Sequence, residues 1–272
     1  MRRQALARPP AYALAAAVAL VACDAGETKI IGSHAAYAMC TAAPAAPPTG
    51  VDAFYKKYYD VNGIPVMSSS AVSDTALASA CTIVAHMVSV RPDVRATMIE
   101  QQMRVAVIGY GEVTTDVPEY RNLNQMFPGQ EWDDLRGVGS TLLIPVASAG
   151  EENLACLADD WFAGENILVQ TFATSVLLGL EATDSTFDAR LDAAYRAAVD
   201  ADKWRDTYAR TNAIEYFAVG TQVWFDARPN VTPPDGNRND INTRDELRSY
   251  DPTLAALIGE VMPDDAWRPK CP

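Results

Sequence analysis

Glu165-Asn-Ile-Leu-Val-Gln170-Thr-Phe-Ala-Thr174-Ser-Val176 is the stretch on which the fold turns. It lies inside a longer run, Trp161 to Leu180, with no glycine between Gly164 and Gly179. The run is apolar around much of its circumference, as expected of a helix buried on all sides rather than an amphipathic surface helix. A chain that buries one helix completely needs other elements to surround it, and the flanking sequence offers several. Ser70 to Val90 is rich in Ala and Val and ends at Arg91-Pro92, where proline disfavours continuation. Ser185-Thr-Phe-Asp188 has the spacing of a capping box opening a helix through about Ala201. Thr207 to Phe225 reads as one helix and Thr243-Arg-Asp-Glu246 as a capping box for the next. Asp251-Pro252 opens a last one, with proline at the first helical position.

Strand signals are fewer. Arg104-Val-Ala-Val-Ile-Gly109 is a short β-branched run closed by glycine. Ser140 to Ala147 is a second candidate, and Pro145 within it predicts an edge strand. Many helices and few strands predict an α+β fold, mostly helical with a small mixed sheet. With 49% hydrophobic residues in 272, the chain can bury a sizeable core.

The N-terminus predicts export. Arg2, Arg3 and Arg8 precede an apolar run from Ala11 to Ala22, too short to span a bilayer and suited to a signal peptide core. Leu20-Val-Ala-Cys23 resembles a bacterial lipobox, in which Cys23 is lipidated and becomes the mature N-terminus. The alternative is an ordinary signal peptide cleaved nearby, giving a secreted protein. Asp24 after the Cys resembles an inner-membrane retention signal, so inner and outer membrane both stay open. The organisation read from this is a signal peptide over 1–22, a Pro/Ala-rich tether over 23–52, and one domain over 53–272. Removing 1–22 takes away three positive charges, so the formal net charge passes from −13 to −16. Such an acidic balance excludes a phosphate-binding, nucleic-acid surface. Cys40, Cys81, Cys156 and Cys271 remain, and an even count in an oxidising compartment predicts two disulfides with three possible pairings. No two of them lie close enough in sequence to chelate a metal.

Set against the zincin helix pattern ENxLVHEFAHxx, the stretch Glu165 to Val176 shares the frame and lacks the chemistry. Two His at i and i+4 place both imidazoles on one face of a helix to hold zinc, and the Glu between them polarises the zinc-bound water. Here the His positions are Gln170 and Thr174 and the Glu position is Thr171. Thr207-Tyr-Ala-Arg-Thr-Asn-Ala-Ile-Glu215-Tyr-Phe-Ala-Val219-Gly resembles the second metal-site helix of the anthrax lethal factor-like peptidases. In that family the third zinc ligand is a Glu about 45–50 residues after the first His. The spacing 215 − 170 = 45 makes Glu215 its counterpart. A Tyr seven residues earlier stabilises the oxyanion, and 215 − 7 = 208 is Tyr208. The second-shell acid of the family is replaced by Val219. Asn239 to Leu247 and Tyr250-Asp-Pro252 are similar to segments of bacterial secreted relatives.

The resemblance implies a zincin-like domain with vestigial Tyr208 and Glu215 and degenerate Gln170, Thr171, Thr174 and Val219. It implies zinc in active relatives, and no metal or other cofactor here, since an amide and two hydroxyls are poor zinc ligands and poor bases. The two histidines do not rebuild a site. His34 falls in the tether and His86 on an apolar helix, where a structural, hydrogen-bonded role is expected.

Other chemistries find less support. There is no G-x-S-x-G elbow, and Gly137-Val-Gly139-Ser reads as a turn before the edge strand. Glu151-Glu152 and Asp159-Asp160 read as surface or cap carboxylates, the latter pair capping a helix near Trp161. Asn230-Val-Thr matches a glycosylation sequon without consequence in a lipoprotein. Three functions follow. The first is an inactive, peptide- or envelope-polymer-binding lipoprotein, whose ligand would lie against an edge strand. The second is a hydrolase of altered chemistry using Glu215 and Tyr208, with too few carboxylates for a firm Ca²⁺ or Mg²⁺ site. The third is a structural protein in which the helices persist as core.

Overall fold

The sheet begins with an element the reading above passed over. Val61-Asn62-Gly63-Ile64 joins strands β1 (Lys57–Val61) and β2 (Ile64–Ser68) as a two-residue antiparallel hairpin. Asn62 and Gly63 both take positive φ (52° and 94°), the backbone this turn demands and the reason Asn-Gly favours it. β2 pairs in parallel with β3 (Arg104–Ile108), and β3 in parallel with β4 (Val146–Gly150), giving a four-stranded mixed sheet in the order β1-β2-β3-β4. The computed structural model describes residues 37–270.

The helices among these residues, in chain order, are α1 (Asp74–Met87), α2 (Pro92–Glu100), α3 (Leu123–Met126), α4 (Glu151–Leu154) and α5 (Ile167–Thr183). Then follow α6 (Phe187–Asp200), α7 (Ala213–Trp224), α8 (Arg244–Tyr250) and α9 (Pro252–Gly259). The fold is α+β, mostly helical with a small mixed sheet, as the sequence predicts. β3 is buried on both faces, which is why Val105-Ala-Val-Ile108 reads as a continuous apolar run instead of alternating. Val105 and Val107 join the main core with the helices, while Ala106 and Ile108 meet Tyr55, Tyr120 and Leu123 on the opposite face.

Three boundaries differ from expectation. β4 is the edge strand, but it starts at Val146 instead of Ser140. Residues 140–145 are drawn off it, because Thr141 N donates to Ile144 O (3.0 Å) and closes a turn. The buried helix begins at Ile167 behind an Asn166 cap, and not behind Asp159 or Asp160. Asn166 Oδ1 accepts from Val169 N (3.1 Å), while Asp160 accepts from Phe162 N and from Asn153. α6 has no side-chain cap at Thr186, so the predicted box before it does not form. The box before α8 does form, Thr243 and Glu246 capping reciprocally, and α9 starts as expected, with Pro252 at its first position and Asp251 accepting from Leu254 N.

The Pro/Ala-rich stretch over 37–52 touches the domain. Cys40 is buried and disulfide-bonded to Cys81 of α1, and Ala45 bridges to Tyr58 of β1. Cys156 is also disulfide-bonded. Cys23, His34 and Cys271, with the signal segment, lie outside the described residues.

His86 is a structural histidine. It is 2% exposed and stacks on Trp267 (centroids 4.0 Å apart), its Nδ1 bonds the Tyr37 hydroxyl, and its Nε2 lies 3.3 Å from Asp265. The ring therefore ties the chain near residue 37 and the C-terminal segment to α1. Burial lowers its pKa from 6.5 to about 4, assisted by the charges of Arg244 and Arg268 and opposed by Asp265. An unfolded chain takes up this proton near 6.5 and the folded one only near 4, so stability falls as pH drops through that window. Between pH 7 and 5 the native chain should lose about 2 kcal/mol more in urea unfolding than His86→Phe. Equal losses would refute the assignment.

Candidate functional site

The site is assembled where α5 crosses α7. Burial of α5 brings Gln170 to the edge of the core, and the break between Tyr208 and Ala213 sets the other two groups. The expected single helix over 207–225 is in fact a 3₁₀ turn, Tyr208–Arg210, followed by α7. Asn212 causes the break: its extended backbone and its side chain, which accepts from Glu215 N (2.9 Å), start a new helix. Tyr208 is therefore not two turns up the same helix from Glu215, yet it reaches it. Its hydroxyl donates to Glu215 Oε1 (3.2 Å), and Gln170 Nε2 donates to Glu215 Oε2 (3.4 Å). Burial raises the Glu215 carboxyl above the ordinary range, with these two donors opposing. The Tyr208 hydroxyl is pushed up to about 12, first by burial and then by the Glu215 charge, so it stays a donor.

Thr174 and Thr171 do not join this group. Thr174 Oγ1 accepts from Ser140 N (2.7 Å) and donates to Thr171 O (2.7 Å). Thr171 Oγ1 donates to Ser148 O of β4 (2.9 Å). Val219 is 1% exposed, packed in the main core. Gln170, Tyr208 and Glu215 thus converge, while both threonines serve as fasteners between α5, β4 and the segment 137–140.

That segment is a strap, not a turn. Val138 O accepts from Ser148 N and Val138 N donates to Ser148 Oγ, both at 3.0 Å. Ser140 Oγ bonds Ser175 Oγ (2.5 Å) at its far end. Gly137 is required here, because a Cβ would stand 2.5 Å from Ile167 Cγ2 and 2.9 Å from the backbone oxygen of Ser148. Arg136 anchors the near end, bidentate on Glu152 (2.6 and 2.8 Å). The edge of β4 at Ser148, where an extended ligand was expected to add as a strand, is therefore occupied by the chain itself.

Several polar groups here escape sequence reasoning. Glu151 and Glu152 are not surface carboxylates but 8% and 7% exposed. Glu152 holds Arg136, and Glu151 accepts from Ser73 N and Tyr110 N. Glu165 and Arg228 are 2% and 3% exposed, with Arg228 Nη1 3.6 Å from Glu165 Oε1. A buried ion pair leaves no periodic trace in sequence, since its partners meet only after folding. Between the strap, α5 and the Tyr208 turn lies a cleft of about 210 Å³, lined among others by Arg136, Phe162, Glu165, Gln170 and Tyr208.

The donor set does not fit zinc. Glu215 is the one ionisable oxygen ligand among the expected positions, Gln170 offers an amide, and Thr174 is engaged with Ser140 and Thr171. Among the described residues no group of three or more His, Cys, Asp or Glu is placed to hold a metal ion. No helix among them is long and apolar enough to cross a membrane.

No family model matches the chain, and no curated protein matches it. Among solved structures, it is similar to the Pro-Pro endopeptidase PPEP-2 from Paenibacillus alvei, at 13% identity and a TM-score of 0.41. That similarity covers 68% of this chain and 91% of the other. A likeness of this extent assigns the chain to no family.

Proposed function

We propose that this protein is an exported lipoprotein, anchored through Cys23, whose zincin-like domain is catalytically inactive and binds peptide or cell-envelope polymer. The reading rests chiefly on the Gln170–Glu215–Tyr208 group. A carboxyl at the spacing of a third ligand is held by the tyrosine of the same pattern, and the amide at the first-ligand position donates to it. In place of a cation, two neutral donors satisfy Glu215, and Thr174 is spent on the strap. Without a metal there is no metal-activated water, and Glu215 is the one carboxylate base in the group. The Cys40–Cys81 disulfide supports export, since such bonds persist in oxidising compartments. The ligand would enter the cleft beside Gln170 and Tyr208, because the strap covers the neighbouring strand edge.

Purified metal-free, reloaded with zinc and dialysed, the protein should retain far less than one zinc per chain by elemental analysis. About one equivalent per chain would overturn the reading. The raised carboxyl of Glu215 beside Tyr208 favours a second reading, a metal-independent hydrolase. That reading requires a turnover on peptide or envelope polymer that Glu215→Gln abolishes.

A further inference from the structure

One wall of the cleft lacks a donor. Glu165, 2% exposed, lines it, and among the described residues its Oε2 has no hydrogen-bond partner. Arg228 balances its charge without satisfying it. At 3.6 Å the nearest guanidinium nitrogen is beyond hydrogen-bond range, and Arg228 donates instead to Gln222 Oε1 and Asn237 O, each at 2.9 Å. An unsatisfied buried acceptor is costly, so this wall gains whenever a donor arrives. None of the described cleft-lining side chains donates to Glu165 Oε2. Gln170 gives an Nε2 hydrogen to Glu215 and keeps its amide oxygen, and Tyr208 gives its hydroxyl hydrogen to the same carboxyl and keeps its lone pairs. Arg136 is committed to Glu152 and to the carbonyls of Glu112 and Gly109.

The charges tell the same way. Arg136 is paired with Glu152, Arg228 with Glu165 and Arg238 with Asp235, which leaves the Glu215 carboxyl without a cationic partner among the described residues. A group that fits brings donors and a positive charge. A primary ammonium has three donors and no acceptor. A divalent metal is a poorer match, since it takes six or more oxygens and usually several carboxylates. The cleft, about 210 Å³, has room for the end of a chain.

We propose that the cleft bounded by Glu165, Gln170 and Tyr208, with Glu215 behind it, is a receptor for a primary ammonium group, the free N-terminus of a peptide or a lysine-type side chain. This deepens the binding reading given above, naming the chemical group that the cleft selects.

Calorimetric titration of the full protein at low salt with four probes tests it: n-butylamine, trialanine, N-acetyl-trialanine, and Nα-acetyl-lysine amide. Amine-bearing probes should bind, and acetylation of trialanine should weaken binding at least about tenfold. Trialanine alone binding identifies a chain terminus and Nα-acetyl-lysine amide alone a side chain; both outcomes support the site. Glu215→Gln, at a half-buried position that tolerates an amide, should weaken the amines by about tenfold, and Glu165→Gln by more. Equal binding of free and acetylated trialanine would overturn the ammonium site and leave the peptide-binding reading standing. Binding of n-butylamine with no peptide bound would do the reverse. No heat from any amine up to about 10 mM would end the proposal.

Discussion

Asp251→Ala should cost about 4 kcal/mol of unfolding free energy, read as a lower urea midpoint at unchanged slope. Asp251 is 2% exposed and serves three donors. Its Oδ2 accepts from Trp204 Nε1 (2.9 Å) and Tyr216 Oη (2.6 Å), and its Oδ1 caps α9 through Leu254 N (3.2 Å). Alanine leaves two buried donors unpaired, at about 1–3 kcal/mol each, and removes a cap worth about 1 kcal/mol. Trp204 adds to the sensitivity. It holds φ at +56°, a left-handed conformation rare for so bulky a residue, between Asp202 and Asp206, which do the same. Such a backbone persists only where its surroundings over-determine it. Trp204 O accepts from Thr207 Oγ1 (2.6 Å), and Thr207 precedes Tyr208, so the lesion should also loosen Tyr208 from Glu215. A cost below about 1 kcal/mol would show that the Trp204 loop is held by other contacts.

Breaking the Cys40–Cys81 bridge with a Cys81→Ser change, paired with Cys40→Ser to avoid a free thiol, should cost a similar amount. The bond closes a loop of sequence separation 41, for which loop entropy gives about 4 kcal/mol. The cost should be seen chiefly as a gain in the freedom of the unfolded chain. It should also release the segment around residues 37–45 from α1, measurable as faster exchange of the Ala45 amide, which donates to Tyr58 O of β1 (3.0 Å). Unchanged stability on substitution would mean that the packing of Cys40 and Cys81, both buried, suffices without the bond.

The two tests probe parts of the molecule that differ in how legible they were. The Asp251-Pro252 start and the Thr243-to-Glu246 box are local contacts between residues three apart, so their chemistry is written in adjacent letters. The hairpin at Asn62-Gly63 carries a local signal of the same kind, since that dipeptide between apolar residues is a turn signal, although the sequence reading above passed over it. The burial of most of α5 followed from its apolar circumference. The break at Asn212 was also local, because an asparagine there caps a new helix more readily than it continues an old one.

The remainder belonged to tertiary structure. That Ser140 would leave the strand ladder for Thr174 and Ser175 depended on α5 passing beneath it, about 35 residues later in sequence. That Glu151 and Glu152 would be buried depended on Arg136, Ser73 and Tyr110 arriving to satisfy them. Residue chemistry alone determined that Gln170, Thr171 and Thr174 lack what a zinc site needs, because ligand ability is a property of each side chain. Folding alone decided which of them face the cleft and which fasten the strap. It also left Glu165 short of a donor, because hydrogen-bond satisfaction depends on who the neighbours are.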